Sequence, residues 1–118
     1  MQIKRVYEIA KEEDNVRILV DRIWPRGISK EKAYLNDWLK ELGPSHELRK
    51  WFAHDPDKFD EFRKKYLHEL EKDEEKREAF QQLRNYYEAN NGNITLVFAA
   101  KEMEYNHVNV LKEKLESK

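Results

Sequence analysis

No cysteine occurs in the chain's 118 residues, which removes disulfides, thiolate catalysis and zinc–thiolate sites together. Glycine and proline are almost as scarce, three of each, so each one that does occur marks a place where the backbone has to turn. There is also no strong charge of one sign. The formal net charge is −1, so the molecule as a whole has no electrostatic claim on DNA, RNA or an anionic membrane, and any affinity for anions has to be local. No apolar run approaches the ~20 residues that span a bilayer, and Met1–Val6 does not read as a signal peptide. The expected setting is the cytoplasm, with no membrane partner.

What is abundant is charge of both signs, 40% of residues, against a hydrophobic fraction of 39%. That balance describes long helices with densely solvated faces, and 12% aromatic residues supply the large buried areas that rule out disorder. The chain length suits one domain, residues 1–118.

The richest stretch is Arg17-Ile-Leu-Val-Asp-Arg-Ile-Trp-Pro-Arg-Gly27. Its apolar positions are consecutive rather than alternate, as in a strand covered on both faces, so residues 17–21 predict a strand of a parallel sheet. Residues 94–100 predict a second such strand, and residues 3–7 a weaker one. Leu35, Trp38, Leu39 and Leu42 recur at helical spacing before Gly43-Pro44 and predict a helix. Further helices are expected after the caps Ser45 and Asp55-Pro56, through Phe80–Tyr87 up to the Asn90–Asn93 stop, and at the C-terminus. The Lys/Glu runs at 72–78 and 112–118 read as solvated helix faces. The expected fold is α/β, a small and mainly parallel sheet of about three strands packed against several helices.

Parallel strands ending at 21 and 100 would bring Arg22, Arg26 and Lys101 to one sheet edge, where ligands bind in open α/β folds. Arginine presents a fork of donors that matches phosphate or carboxylate, and lysine adds a point charge. Trp24 is either a stacking platform for a flat ligand or a plug against the neighbouring structure. Asp21 is either a general base or a strand-end partner for Arg22 or Arg26, the second being favoured. Asn106-His107 offers a hydrogen-bonding amide and an acid–base group, with Asn106 equally suited to capping the last helix. The four histidines match no metal-binding spacing, so no metal and no cofactor are expected.

These residues, together with Leu48-Arg49-Lys50-Trp51-Phe52-x-His54, Phe62-Arg63-x-x-Tyr66, Thr95–Lys101 and Asn106-His107, resemble the DUF488 family, in particular its small single-domain YeaO-like members. The resemblance covers essentially the whole chain. It implies a compact α/β sandwich and adds Arg49 and Arg63 to a shared polar constellation with Arg22, Trp24, Arg26, Lys101, Asn106 and His107; it implies no reaction. Three functions are compatible with the residues. The first is a pocket or enzyme for a small phosphorylated or nucleotide-like anion, with His107 and Asp21 as its acid–base groups. The second, less favoured, is a nucleic-acid module with a footprint of a few phosphates. The third is a structural or partner-binding domain whose arginines form ion pairs.

Overall fold

The computed structural model describes residues 1–117. Four parallel strands form one sheet: β1 (Gln2–Arg5), β2 (Val16–Leu19), β3 (Asp37–Trp38) and β4 (Ile94–Phe98), in the order β1-β4-β2-β3. Five α-helices accompany it among the described residues: α1 (Lys30–Ala33), α2 (His46–Phe52), α3 (Phe59–Lys72), α4 (Glu74–Ala89) and α5 (His107–Glu116). The mixed architecture and parallel pairing agree with the sequence reading, and the central strands are covered on both faces as their consecutive apolar residues require.

Alternation along β2 and β4 divides the core in two. Ile18, Val20, Ile94, Leu96 and Phe98 face a large cluster built with α2–α5, including Phe62, Tyr66, Leu70, Leu83 and Leu111. Leu19 and Val97 face a small cluster with Val6 and Ala33, against which Trp24, Ile28, Leu35 and Trp38 pack. The thin side also carries the polar strand residues. Arg17 is 1% exposed there, and its guanidinium donates to the Ala33 and Tyr34 carbonyls and, at 2.7 Å, to Asp14. Asp14, equally buried, also accepts from Lys4 Nζ (3.0 Å) and the Lys11 N–H (3.1 Å).

The expected helix over 35–42 does not form. Residues Asp37–Trp38 instead pair with Ile18–Leu19, and the chain then makes a single 3-10 turn at Lys40–Leu42. The helical spacing is real but serves two clusters at once: Leu35 and Trp38 go to the thin side, Leu39 and Leu42 to the thick one. The open edge of β2 decides the matter: the Arg17 N–H donates to the Asn36 side-chain oxygen, and the Arg17 and Leu19 carbonyls accept from the Asn36 and Leu39 N–H groups. The run at 72–78 is not wholly solvated either. Asp73 breaks it by capping α4, and Lys76 is 4% exposed, donating to the Glu41 and Gly43 carbonyls. Burial and the nearby Arg22 charge push its pKa down.

Gly43 lies where the segment held by Lys76 crosses Arg22. A Cβ on Gly43 would stand 2.6 Å from both Arg22 N and Arg22 Cβ. Gly43→Ala therefore forces the start of the Arg22–Gly27 loop to move, at about 1–3 kcal/mol. A chemical denaturation midpoint measures this, and an unchanged midpoint would contradict the packing.

Candidate functional site

After β2 the chain leaves the sheet as Val20–Gly27 and is pinned at three points. Trp38 Nε1 donates to the Asp21 carbonyl (2.7 Å), Trp24 Nε1 to the Ile28 carbonyl (2.9 Å), and the Tyr7 hydroxyl to the Arg26 carbonyl (2.8 Å). Gly27 supplies the left-handed turn at φ +73°. Trp24 stands edge-on to Trp38 at 5.4 Å, half-buried in the thin-side cluster, so its packing role is plain while one part still borders the cavity.

The cavity beyond the carboxyl ends of β2 and β4 encloses about 430 Å³, the size of small-ligand sites. Arg22, Trp24, Arg26, Arg49, Asn106, His107 and Asp21 all line it. The structure thus brings seven of the nine sequence-derived residues together. Lys101 is exposed just past β4 and is not among the lining residues. Arg63 lies elsewhere: it pairs with Glu113 of α5 on the outer face of α3, where both side chains are about half exposed and the pair contributes little. A wider depression of about 960 Å³ lies along the β1–β2 connection. Its one arginine, Arg17, is already committed to Asp14 and to carbonyls, and its two lysines, Lys11 and Lys32, share the wall with Glu8, Glu12 and Glu31.

The favoured pairing of Asp21 with Arg22 or Arg26 is absent. Among the described residues, neither arginine forms an ion pair, and both are exposed. Asp21 instead accepts from the Ala99 N–H at 2.8 Å and faces His107 Nε2 at 3.4 Å. The reason is topological: β2 and β4 are adjacent, so the first residues past each strand meet, while Arg22 turns away over Gly43. Burial raises the Asp21 pKa, against the opposing pull of His107, the Ala99 N–H and Arg49.

His107 is the first residue of α5, and its Nε2 also lies 3.0 Å from the Val20 carbonyl. A carbonyl only accepts, so its partner nitrogen carries the proton; this infers the Nε2–H tautomer and leaves Nδ1 as the acceptor. Burial lowers the His107 pKa below 6.5, outweighing the Asp21 carboxylate and the Val20 carbonyl. Asn106 caps α5, accepting from the Val108 N–H at 2.8 Å and donating to the Glu102 carbonyl. Its amide is largely occupied by that structural work.

Because folded His107 holds its proton more weakly than the unfolded chain, it favours folding above pH 6.5, and this contribution is lost as pH falls through its lower folded value. Asp21 acts in the opposite sense: its raised pKa favours folding below 3.8, and that contribution is lost as pH rises through the folded value. Replacing His107 by Gln keeps an N–H for Val20 and removes the titration. His107→Gln is therefore expected to show a smaller drop in melting temperature between pH 7 and pH 5.5 than the wild type. Parallel curves for the two proteins would contradict this.

Arg49 reaches the cavity from α2, and its Nε is fully buried with no hydrogen-bond partner. Ordinarily such a group finds a partner. Sequence reasoning also missed Tyr7, Pro44, Phe52, His54 and Phe62, which line the same cavity. Of these only Phe52, His54 and Phe62 sat inside a stretch that resembled the family. Among the described residues no three His, Asp or Glu side chains gather as a metal ion would require, and no helix is long and apolar enough to cross a membrane.

Comparison with known proteins places this architecture. The uncharacterized protein YeaO of Escherichia coli (strain K12) is 41% identical over 117 residues, 99% of this chain and 97% of YeaO. The uncharacterized protein Rv3073c of Mycobacterium tuberculosis (strain H37Rv) is 47% identical over 70 residues, 59% of each chain. No solved structure gives a significant match. A family model described as the inactive DUF488-N3 subclade matches residues 1–118, and with YeaO aligned over nearly the full length, the chain belongs to the DUF488 family.

Proposed function

We infer that the cavity past β2 and β4 binds a small phosphorylated or nucleotide-like anion and retains it without chemistry. One observation carries the reading: Arg22, Arg26 and Arg49 converge on a cavity whose single acid, Asp21, is already engaged by the Ala99 N–H and His107. A guanidinium with a buried, partnerless Nε is set up to donate to a phosphate oxygen as its missing partner. Trp24 and Pro25 form a rigid side wall beside these cations.

Binding rather than turnover is supported from two sides. The lining residues include no Ser, Thr, Cys or Lys, and the two groups best placed for acid–base work, Asp21 and His107, are tied to the Ala99 N–H, the Val20 carbonyl and each other. The family description itself uses the word inactive. His107 and Asp21 then hold the two strand ends and the start of α5 in register around the ligand, and the setting we propose is the cytoplasm. The test is calorimetric titration of the protein with inorganic phosphate, ribose 5-phosphate and adenosine 5′-monophosphate. A ligand at a hundred times its dissociation constant also stabilises the fold by about 2.7 kcal/mol, visible as a shift of several degrees. Absence of saturable binding to all three would overturn the reading.

A further inference from the structure

The chain stops two of its helices with a pair of consecutive left-handed residues. After α4 the pair is Asn91-Gly92, at φ +53° and +81°. These are the residue types that adopt this conformation most readily. After α2 the pair is Ala53-His54, at φ +47° and +57°. Ala53 closes the helix, its N–H donating to the Arg49 carbonyl at 3.0 Å, and the Asp55 N–H then donates to the Phe52 carbonyl at 3.0 Å. Nothing in that backbone pattern needs a side chain at position 54. Glycine would make the same turn with less strain, as it does after α4.

What position 54 supplies is an imidazole on the wall of the cavity. His54 lines it together with Arg49, five residues earlier on α2, and its ring centre lies 6.3 Å from that of Phe52. Residue 54 itself is exposed, so the ring is open to whatever enters. The ring is not held there by the core.

We propose that His54 is a ligand-contacting residue of this cavity, hydrogen-bonding the bound phosphorylated molecule from the end of α2, and that the strained Ala53-His54 turn is kept to aim it. The proposal rests on the anion-binding reading above and adds a residue to it. Backbone strain held at a binding site and relieved by glycine leaves a distinctive signature, in which stability and binding move in opposite directions. A residue that merely fills space would move neither in this way.

The experiment compares wild type, His54→Gly, His54→Gln and Arg49→Ala in thermal melts and in titrations with inorganic phosphate, ribose 5-phosphate and adenosine 5′-monophosphate. His54→Gly is expected to melt roughly 2–4 °C higher than wild type and to bind about tenfold more weakly. His54→Gln, which keeps a hydrogen-bonding side chain, should retain more affinity than His54→Gly and gain no stability. Wild-type affinity in His54→Gly, with Arg49→Ala weakened, would overturn the role of His54 and leave the anion pocket standing. A melting temperature that stays level or falls in His54→Gly would overturn the strain on which the aiming depends. Failure of wild type to bind any of the three probes would remove the anion pocket and this proposal with it.

Discussion

Arg17→Ala is expected to destabilise the protein by about 3–5 kcal/mol, a large share of the 5–15 kcal/mol that typically holds a folded chain of this kind. Arg17 is 1% exposed on the thin side of the sheet and joins three pieces of chain. Its guanidinium meets Asp14 before β2 and the carbonyls of Ala33 and Tyr34 at the end of α1. Truncation leaves the Asp14 carboxylate buried with Lys4 as its remaining cation and strands both carbonyls. Arg17→Lys should recover only part of the loss, because an ammonium cannot span Asp14 and the two carbonyls as a planar fork does. Burial pushes the Asp14 pKa up, but the Lys11 N–H, Lys4 and Arg17 together hold it below 3.8. Its contribution is therefore present above pH 3.8 and is lost as pH falls through the lower folded value. Urea denaturation at pH 7 measures the effect. A loss under 1 kcal/mol would show that the pair is not the brace its geometry describes.

Arg49→Ala is expected to do the opposite. It should weaken phosphate binding about 10- to 100-fold, the scale of one or two charge-assisted hydrogen bonds, while the melting temperature stays level or rises. The Nε of Arg49 has no partner to lose, and removing a buried unsatisfied group relieves the fold of its desolvation. The Arg49 charge also lowers the pKa of both Asp21 and His107, so its removal should shift both upward, readable by NMR titration of the His107 ring. A variant that loses stability and binding together would mark Arg49 as a brace, like Arg17, rather than a clamp.

Set side by side, the two arginines show what the sequence could and could not disclose. The stretch Arg17–Gly27 announced a buried parallel strand ending in cations, and the neighbouring β4 and the stop at Asn90–Asn93 were equally plain, because local chemistry decides each of them, while Asn106 read equally as a cap and as a ligand contact. Which arginine is structural was not local. Arg17 read as the polar start of a strand and Arg22 or Arg26 as the paired one, yet only the topology, which lays α1 and Asp14 over the thin side, says that Arg17 is the residue enclosed. The same holds for Lys76, lost in a charged run until the Leu39–Gly43 segment closes over it. Strand β3 was hidden for a different reason, since its apolar residues satisfy a helical period while serving two cores.

The site was half legible. The end of β2 gave Asp21, Arg22 and Arg26, the Asn106-His107 pair gave His107, and the family resemblance brought in Arg49. The same resemblance also pointed to Arg63, whose place on the far side of α3 depends on helix phase, which motif spacing does not carry. Tyr7 and His54 reach the cavity from loops, and loops leave no periodic trace.

The central claim is that this cavity is an anion site whose cations are free until a ligand arrives. Calorimetric titration of wild type and Arg49→Ala with adenosine 5′-monophosphate and inorganic phosphate at low salt tests it most directly. The account predicts saturable binding at one site in the wild type, weakened about 10- to 100-fold in Arg49→Ala with the fold intact. No saturable binding of either anion to the wild type, or equal binding by both proteins, would contradict it.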